Sequence, residues 1–172
     1  KHMNINWKAI MHCPLLVLFL FSSIMLHGQT NKRTVGSMEV SWEFQGNTLH
    51  VSVHAPSKGW VALGFNEKND IVQTDLVMAC VREGKIESEE FYVVGMGNPQ
   101  PVEKLGGKKI ITHVKGREDS RGTTIEFDIV SPGSDYHYEL KKGKEIWLIC
   151  AYSVSDDFDH HSRVRKHFKV RL

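Results

Sequence analysis

From residue 30 onward, apolar and polar residues alternate with a period of two almost throughout. The stretch TLHVSVHAP sets Leu49, Val51 and Val53 against His50, Ser52 and His54. On extended backbone successive side chains point to opposite faces, so this is the pattern of a strand with one buried face. KGWVALGF, DLVMACVR, EEFYVVG, KKIITHV, TTIEFDIV and EIWLICAYSV follow, each short and rich in β-branched or aromatic residues. Turn chemistry separates them: QGN, PSKG, REGK, GNPQP, SRG, SPGSD and KKGK. No stretch holds a helical period over three turns. Eight or nine short strands at regular spacing predict an antiparallel β-sandwich or barrel. Trp42, Phe44, Trp60, Phe65, Phe91, Phe127 and Trp147 fall on apolar rows and are the expected core.

The first 28 residues break this pattern. Lys1 and Lys8 precede an apolar run from Pro14 to Leu26, which is short for a bilayer span and has the length of a signal-peptide core. The opening KHM is open to reading as a leftover of cloning. A polar switch at Gln29 predicts cleavage near Gly28, a signal peptide over 1–28 and one domain over 29–172. A retained anchor is the alternative. Cleavage predicts a secreted or periplasmic, cell-envelope protein with no stable membrane span. The formal charge of +2 argues for no polyanionic partner, and basic and aromatic residues do not interleave as a nucleic-acid platform requires. Cys80 and Cys150 lie mid-run in apolar strands, which predicts buried thiols; a disulfide between two strands is the alternative.

Candidate chemistry concentrates near the end, in DDFDHHSRVR. His160 and His161 could serve a metal, with oxygens from Asp156, Asp157 and Asp159, or a haem, or nothing beyond a polar loop. No zinc-type Cys or His spacing accompanies them. On extended chain only one of the two rings can enter a given pocket. Catalysis lacks its parts: there is no Gly-x-Ser-x-Gly turn and no phosphate loop before a helix, and His113 and His137 have no nucleophile visible beside them. Glu89 and Glu90 read as exposed strand-end acids. The chain is therefore read as a non-enzyme. In RVRKHFKVRL, Arg163, Arg165, His167, Lys169 and Arg171 share one face. That row is either a solvated strand edge or a docking face for an acidic partner.

The run GWVALGFNEKNDIVQTDLVMACV, with YVVGMGNPQP, TTIEFDI and LKKGKEIWLICAYSVSDDFDHHSR after it, resembles the DOMON domain over about residues 38–172. The resemblance implies an immunoglobulin-like antiparallel β-sandwich, outside the cytoplasm, with a ligand pocket at one end. It implies haem b or a sugar as ligand, and a redox partner protein for the haem-binding members, which hold iron with one Met and one His. The His carries over to His161, or to His160 if the loop register differs by one. The Met falls on Ile71, which cannot coordinate iron. Met78 reads as core, and Met96 in the GMGNP turn is a further candidate. The leading expectation is a haem-binding or electron-transfer module. A carbohydrate or small-ligand module using Trp60 and Tyr152 is the alternative, and a structural interaction module the third.

Overall fold

The structure is a computed structural model and describes residues 30–172. The expected signal peptide and its cleavage point lie outside the described residues. Eleven strands follow in order: β1 (Asn31–Val35), β2 (Met38–Gln45), β3 (Thr48–Ala55), β4 (Val61–Asn66), β5 (Asp75–Arg82), β6 (Lys85–Gly95), β7 (Asn98–Pro101), β8 (Ile111–Asp119), β9 (Gly122–Ile129), β10 (Glu145–Tyr152) and β11 (Val164–Arg171). One 3-10 turn, Val102–Leu105, sits between β7 and β8. The alternation did not reveal β1 and β7. Both are short edge strands made of NKRTV and NPQP, and proline is tolerated at a sheet edge because its missing N–H faces no partner there.

The strands form two antiparallel sheets, as the alternation predicts for a sandwich. The five-stranded sheet runs β1-β2-β3-β9-β8 and the six-stranded sheet β11-β10-β4-β5-β6-β7. Between them lies one apolar layer that includes Val40, Trp42, Val53, Phe65, Ile125 and Phe127. Each large side chain here contributes about 2 kcal/mol by leaving water.

The six-stranded sheet differs from its partner in having no polar face at its centre. All six residues of β4 are buried, and so are the first six of β5. Their inward row, Val61, Leu63, Phe65, Val77 and Ala79, joins the inter-sheet core. Their outward row, Ala62, Leu76, Met78 and Cys80, joins Trp60, Phe91, Val93 and Ala151 in a second cluster outside the sandwich. Trp60 and Phe91 are therefore buried as expected, but in this outer cluster. Trp147 departs further and is only half-buried. The inward row of β10 is Ile146, Leu148, Cys150 and Tyr152, which leaves Trp147 on the outer face. Both rows of β10 are apolar, so periodicity could not choose between them. The same parity separates the cysteines: both are free and fully buried, Cys150 in the inner layer and Cys80 in the outer one. Burial pushes each thiol up to about 11.

Candidate functional site: a roofed apolar face

The outer cluster is covered by the segment 153–163, which crosses it between β10 and β11. The Gly-Trp pair ahead of β4 builds this cover. A Cβ on Gly59 would lie 2.5 Å from the backbone nitrogen of Ser155 and 2.6 Å from the carbonyl oxygen of Ser153, so only glycine lets the two backbones approach. The Trp60 backbone then bonds the crossing chain on both sides, its N–H donating to the Ser155 carbonyl (3.0 Å) and its carbonyl accepting from the Ser153 N–H (2.9 Å). Its indole Nε1 donates to the His160 carbonyl at 3.2 Å. Ser153 Oγ donates to the His161 carbonyl at 3.1 Å. From the cover, Phe158 packs edge-on against Phe91, with ring centroids 6.2 Å apart.

Between cover and sheet remains a cavity of about 380 Å³. Its floor is apolar: Trp60, Ala62, Leu76, Met78, Val93 and Ala151. Ile71 and Phe158 form walls, and the β6–β7 hairpin closes one side through Asn98, Pro99 and Gln100. His160, His161 and Arg165 stand at the rim, all three exposed. Neither imidazole nor the Arg165 guanidinium has a hydrogen-bond or ion-pair partner among the described residues. The chain bends at His160, whose N–H donates to the Asp157 carbonyl at 3.0 Å. Strand alternation therefore does not apply at the pair, and both residues line the cavity.

Four of the residues singled out from the sequence thus meet in one place: Trp60, Ile71, His160 and His161. Met96 does not join them; it is 75% exposed at the tip of the β6–β7 turn. Met78 does join them, because it lies on the outward row of β5 and not in the inter-sheet core. Of the DDFD acids, Asp157 is used locally, its Oδ1 accepting from the Asp159 N–H at 3.0 Å, whereas Asp156 Oδ1 is buried without a hydrogen-bond partner. Among the described residues no group of three or more His, Cys, Asp or Glu is placed to hold a metal ion. The aromatic rings suggested for a sugar are not available as stacking faces. Trp60 is 4% exposed, and Tyr152 lies in the inner core with its hydroxyl 3.2 Å from Ser37 Oγ.

Sequence reasoning missed two other clusters. On the outer face of the five-stranded sheet, His50 Nδ1 lies 2.5 Å from Asp128 Oδ1, and His113 Nδ1 lies 2.9 Å from Asp128 Oδ2. A bulge between Thr112 and Lys115, with His113 at φ +51°, turns the His113 ring toward that carboxylate. The concavity around them is larger, about 550 Å³, and within it the His50, Asp128 and His113 side chains are already bonded to one another. Size alone does not make it the better candidate, because its two imidazoles are already engaged by Asp128 and neither is left free to orient a ligand. The second cluster, Asp75, His137 and Glu90, is buried at one end of the sandwich, and it corrects the reading of Glu90 as an exposed strand-end acid: Glu90 is fully buried. An acid inside an apolar run, as in DLVMACV and EEFYVV, was the available signal.

The sequence model of the DOMON domain matches residues 34–153, more than half of the chain. The chain belongs to the DOMON family. The match contains the Gly-Trp pair, Ile71 and Met78 and ends before the histidine pair. The fold agrees: the cytochrome domain of cellobiose dehydrogenase from Myriococcum thermophilum superposes with a TM-score of 0.61 at 12% identity, covering 84% of this chain and 82% of that one. A family 9 carbohydrate-binding module from Caldicellulosiruptor kristjanssonii, solved with glucose, gives a TM-score of 0.41 at 9% identity, covering 83% and 73%. No curated protein sequence matches the chain. In this DOMON domain the Gly-Trp pair has a physical task, since Gly59 and Trp60 seat the cover that makes the cavity.

Proposed function

We propose that this DOMON domain is a non-catalytic binding module whose outer-face cavity takes a flat, largely apolar ligand with an anionic edge, and that haem b is that ligand. The observation that carries the reading is an apolar floor faced by unpartnered imidazoles and a guanidinium at one rim. Such a site is the usual form of a small-molecule pocket, with most of the burial apolar and a few polar groups fixing orientation. Haem, when bound, supplies one-electron redox chemistry at its iron. His161 offers the imidazole nitrogen, as the family resemblance selects, and Arg165 suits a carboxylate edge. Phe158 and Ile71 exclude water from one side. Ile71 brings no donor atom to the position the family's methionine takes, so His161 would be the residue that holds the iron. In keeping with such a module, residues 1–28 are proposed as a signal peptide, with residues 29–172 the exported domain and a redox protein its partner.

The test is a haemin titration followed in the Soret region. The wild type is expected to bind, His161→Ala to lose at least tenfold in affinity, and His160→Ala to keep it. Ile71→Met is expected to shift the spectrum toward a low-spin, six-coordinate form. Equal binding by wild type and His161→Ala rules out that ligand. No Soret change in any variant rules out haem.

A further inference from the structure

Asp75, His137 and Glu90 come from three separate elements and meet where water is excluded. The His137 and Asp75 side chains are 4% and 1% exposed, and that of Glu90 is 0%. His137 Nε2 lies 2.8 Å from the Lys108 carbonyl oxygen, which can only accept, so Nε2 carries a proton. Nδ1 lies 3.1 Å from Asp75 Oδ2. That contact is a hydrogen bond only while one proton is shared between the two atoms. Once it is lost, a lone pair faces a carboxylate oxygen in a dry site, and the contact becomes repulsive. Glu90 adds a third charge 3.8 Å from Nε2, while its own oxygens accept from the N–H groups of Ile110 and Ile111.

This knot is joined to the cavity wall by a short chain of bonds. Tyr138, next to His137, donates from its hydroxyl to the Gln73 carbonyl at 2.9 Å. Gln73 sits at φ +67°, and its N–H donates to the carbonyl of Val93, a floor residue, at 2.7 Å. The Thr74 N–H donates to the Ile71 carbonyl at 3.3 Å. Asp75 follows Thr74 directly. The segment 70–74, which carries the wall residue Ile71, is thus tied to Asp75 and to Tyr138, and it also receives bonds from Asn66 Nδ2 at the Asp70 and Val72 carbonyls (2.8 and 3.0 Å).

We infer that Asp75, His137 and Tyr138 are positioning residues for the cavity wall, and that the shared proton between Asp75 and His137 sets how tightly the Ile71 segment is held. The inference concerns the wall itself and does not rest on the identity of the ligand. The other groups facing the knot do not carry the switch. Tyr138 is pushed up to about 12, chiefly by burial, so its hydroxyl stays a donor. Tyr92 is likewise raised by burial, and Lys109 is engaged with Glu89 and Glu103. Burial pulls the His137 value down, but the bond and charge of Asp75, the Lys108 carbonyl and the Glu90 charge outweigh it and raise it above 6.5. Burial also raises Asp75 and Glu90, against the opposing pull of His137. All three shifts mean that the folded chain binds protons more tightly than the unfolded one. The stabilisation from His137 is therefore full below 6.5 and is lost as pH rises through its raised folded value. The wall is held more tightly in mild acid than in base.

The measurement is amide hydrogen exchange of the full chain without added ligand between about pH 5.5 and 8.5, corrected for the intrinsic rate. Protection over 70–74 is expected to fall about tenfold as pH rises past the His137 transition. His137→Gln is expected to abolish the step. Tyr138→Phe should leave a pH-dependent step at 108–111 and remove it from 70–74. If His137→Gln fails to fold, Asp75→Asn replaces it with the same expectation. A flat wild-type profile over 70–74, or an unchanged step in either knot variant, overturns the inference. Failure of haem binding leaves this result untouched, so the two readings fail separately.

Discussion

The two outer faces of the sandwich are built from the same kind of strand and end up as opposites. On the five-stranded sheet the outward rows of β3 and β9 carry His50, Ser52, Glu126 and Asp128, and His50 and Asp128 bond to each other. On the six-stranded sheet the outward rows of β4 and β5 carry Ala62, Leu76 and Met78, which no solvated face needs. A sheet that is apolar on both sides must be covered twice, once by its partner sheet and once by something else. Here the second cover is a single crossing segment, too small to fill the face, and the remainder is the cavity. The polar face closes its own interactions, whereas the apolar face leaves an unfilled need, which is where a ligand gains most by burial.

That contrast can be broken from the apolar side first. Gly59→Ala drives a Cβ into backbone atoms of the cover at under 3 Å, and neither backbone can move without losing the bonds around Trp60. The expected loss is about 3 kcal/mol of unfolding free energy in a denaturant titration, with exposure of the outer cluster. Phe158→Ala removes a half-buried ring from the cover and keeps its backbone. It should cost roughly 2 kcal/mol and raise the fluorescence of an apolar dye in the enlarged cavity. The polar face should respond least. Asp128→Asn keeps one acceptor for the half-buried His50 and the exposed His113, and the expected change is ~0.5 kcal/mol, strongest at low salt. A larger loss for Asp128→Asn than for Phe158→Ala contradicts the contrast.

Much of the site was legible in the chain, though not its surroundings. The Gly-Trp pair, Ile71 and the histidine pair were all visible as motif positions, and Trp60, Ile71 and both histidines meet around one cavity. Met96 was visible as well, yet it points away, because a hairpin tip gives no information about which side of the sheet it will serve. Met78 was hidden in plain view: an apolar residue in an apolar strand has no local mark of inward or outward placement. The bend that brings His160 and His161 to the same rim depends on bonds to Trp60 and Ser153, far back in the chain or on the neighbouring strand end.

The inner strands, most turns and the all-β class followed from the sequence by itself, because alternation and turn chemistry are properties of neighbours along the chain; the short edge strands β1 and β7, the latter inside the GNPQP stretch read as a turn, did not. Which apolar row of β10 faces inward, why Trp147 lies outside, and why Cys80 and Cys150 cannot pair were decided by strand order and parity across the sheet. The buried partnership of Asp75 and His137 spans 62 positions, with Glu90 between. Nothing local marks such a pair, since a carboxylate is stabilised inside a protein only by the particular groups that tertiary packing brings to it.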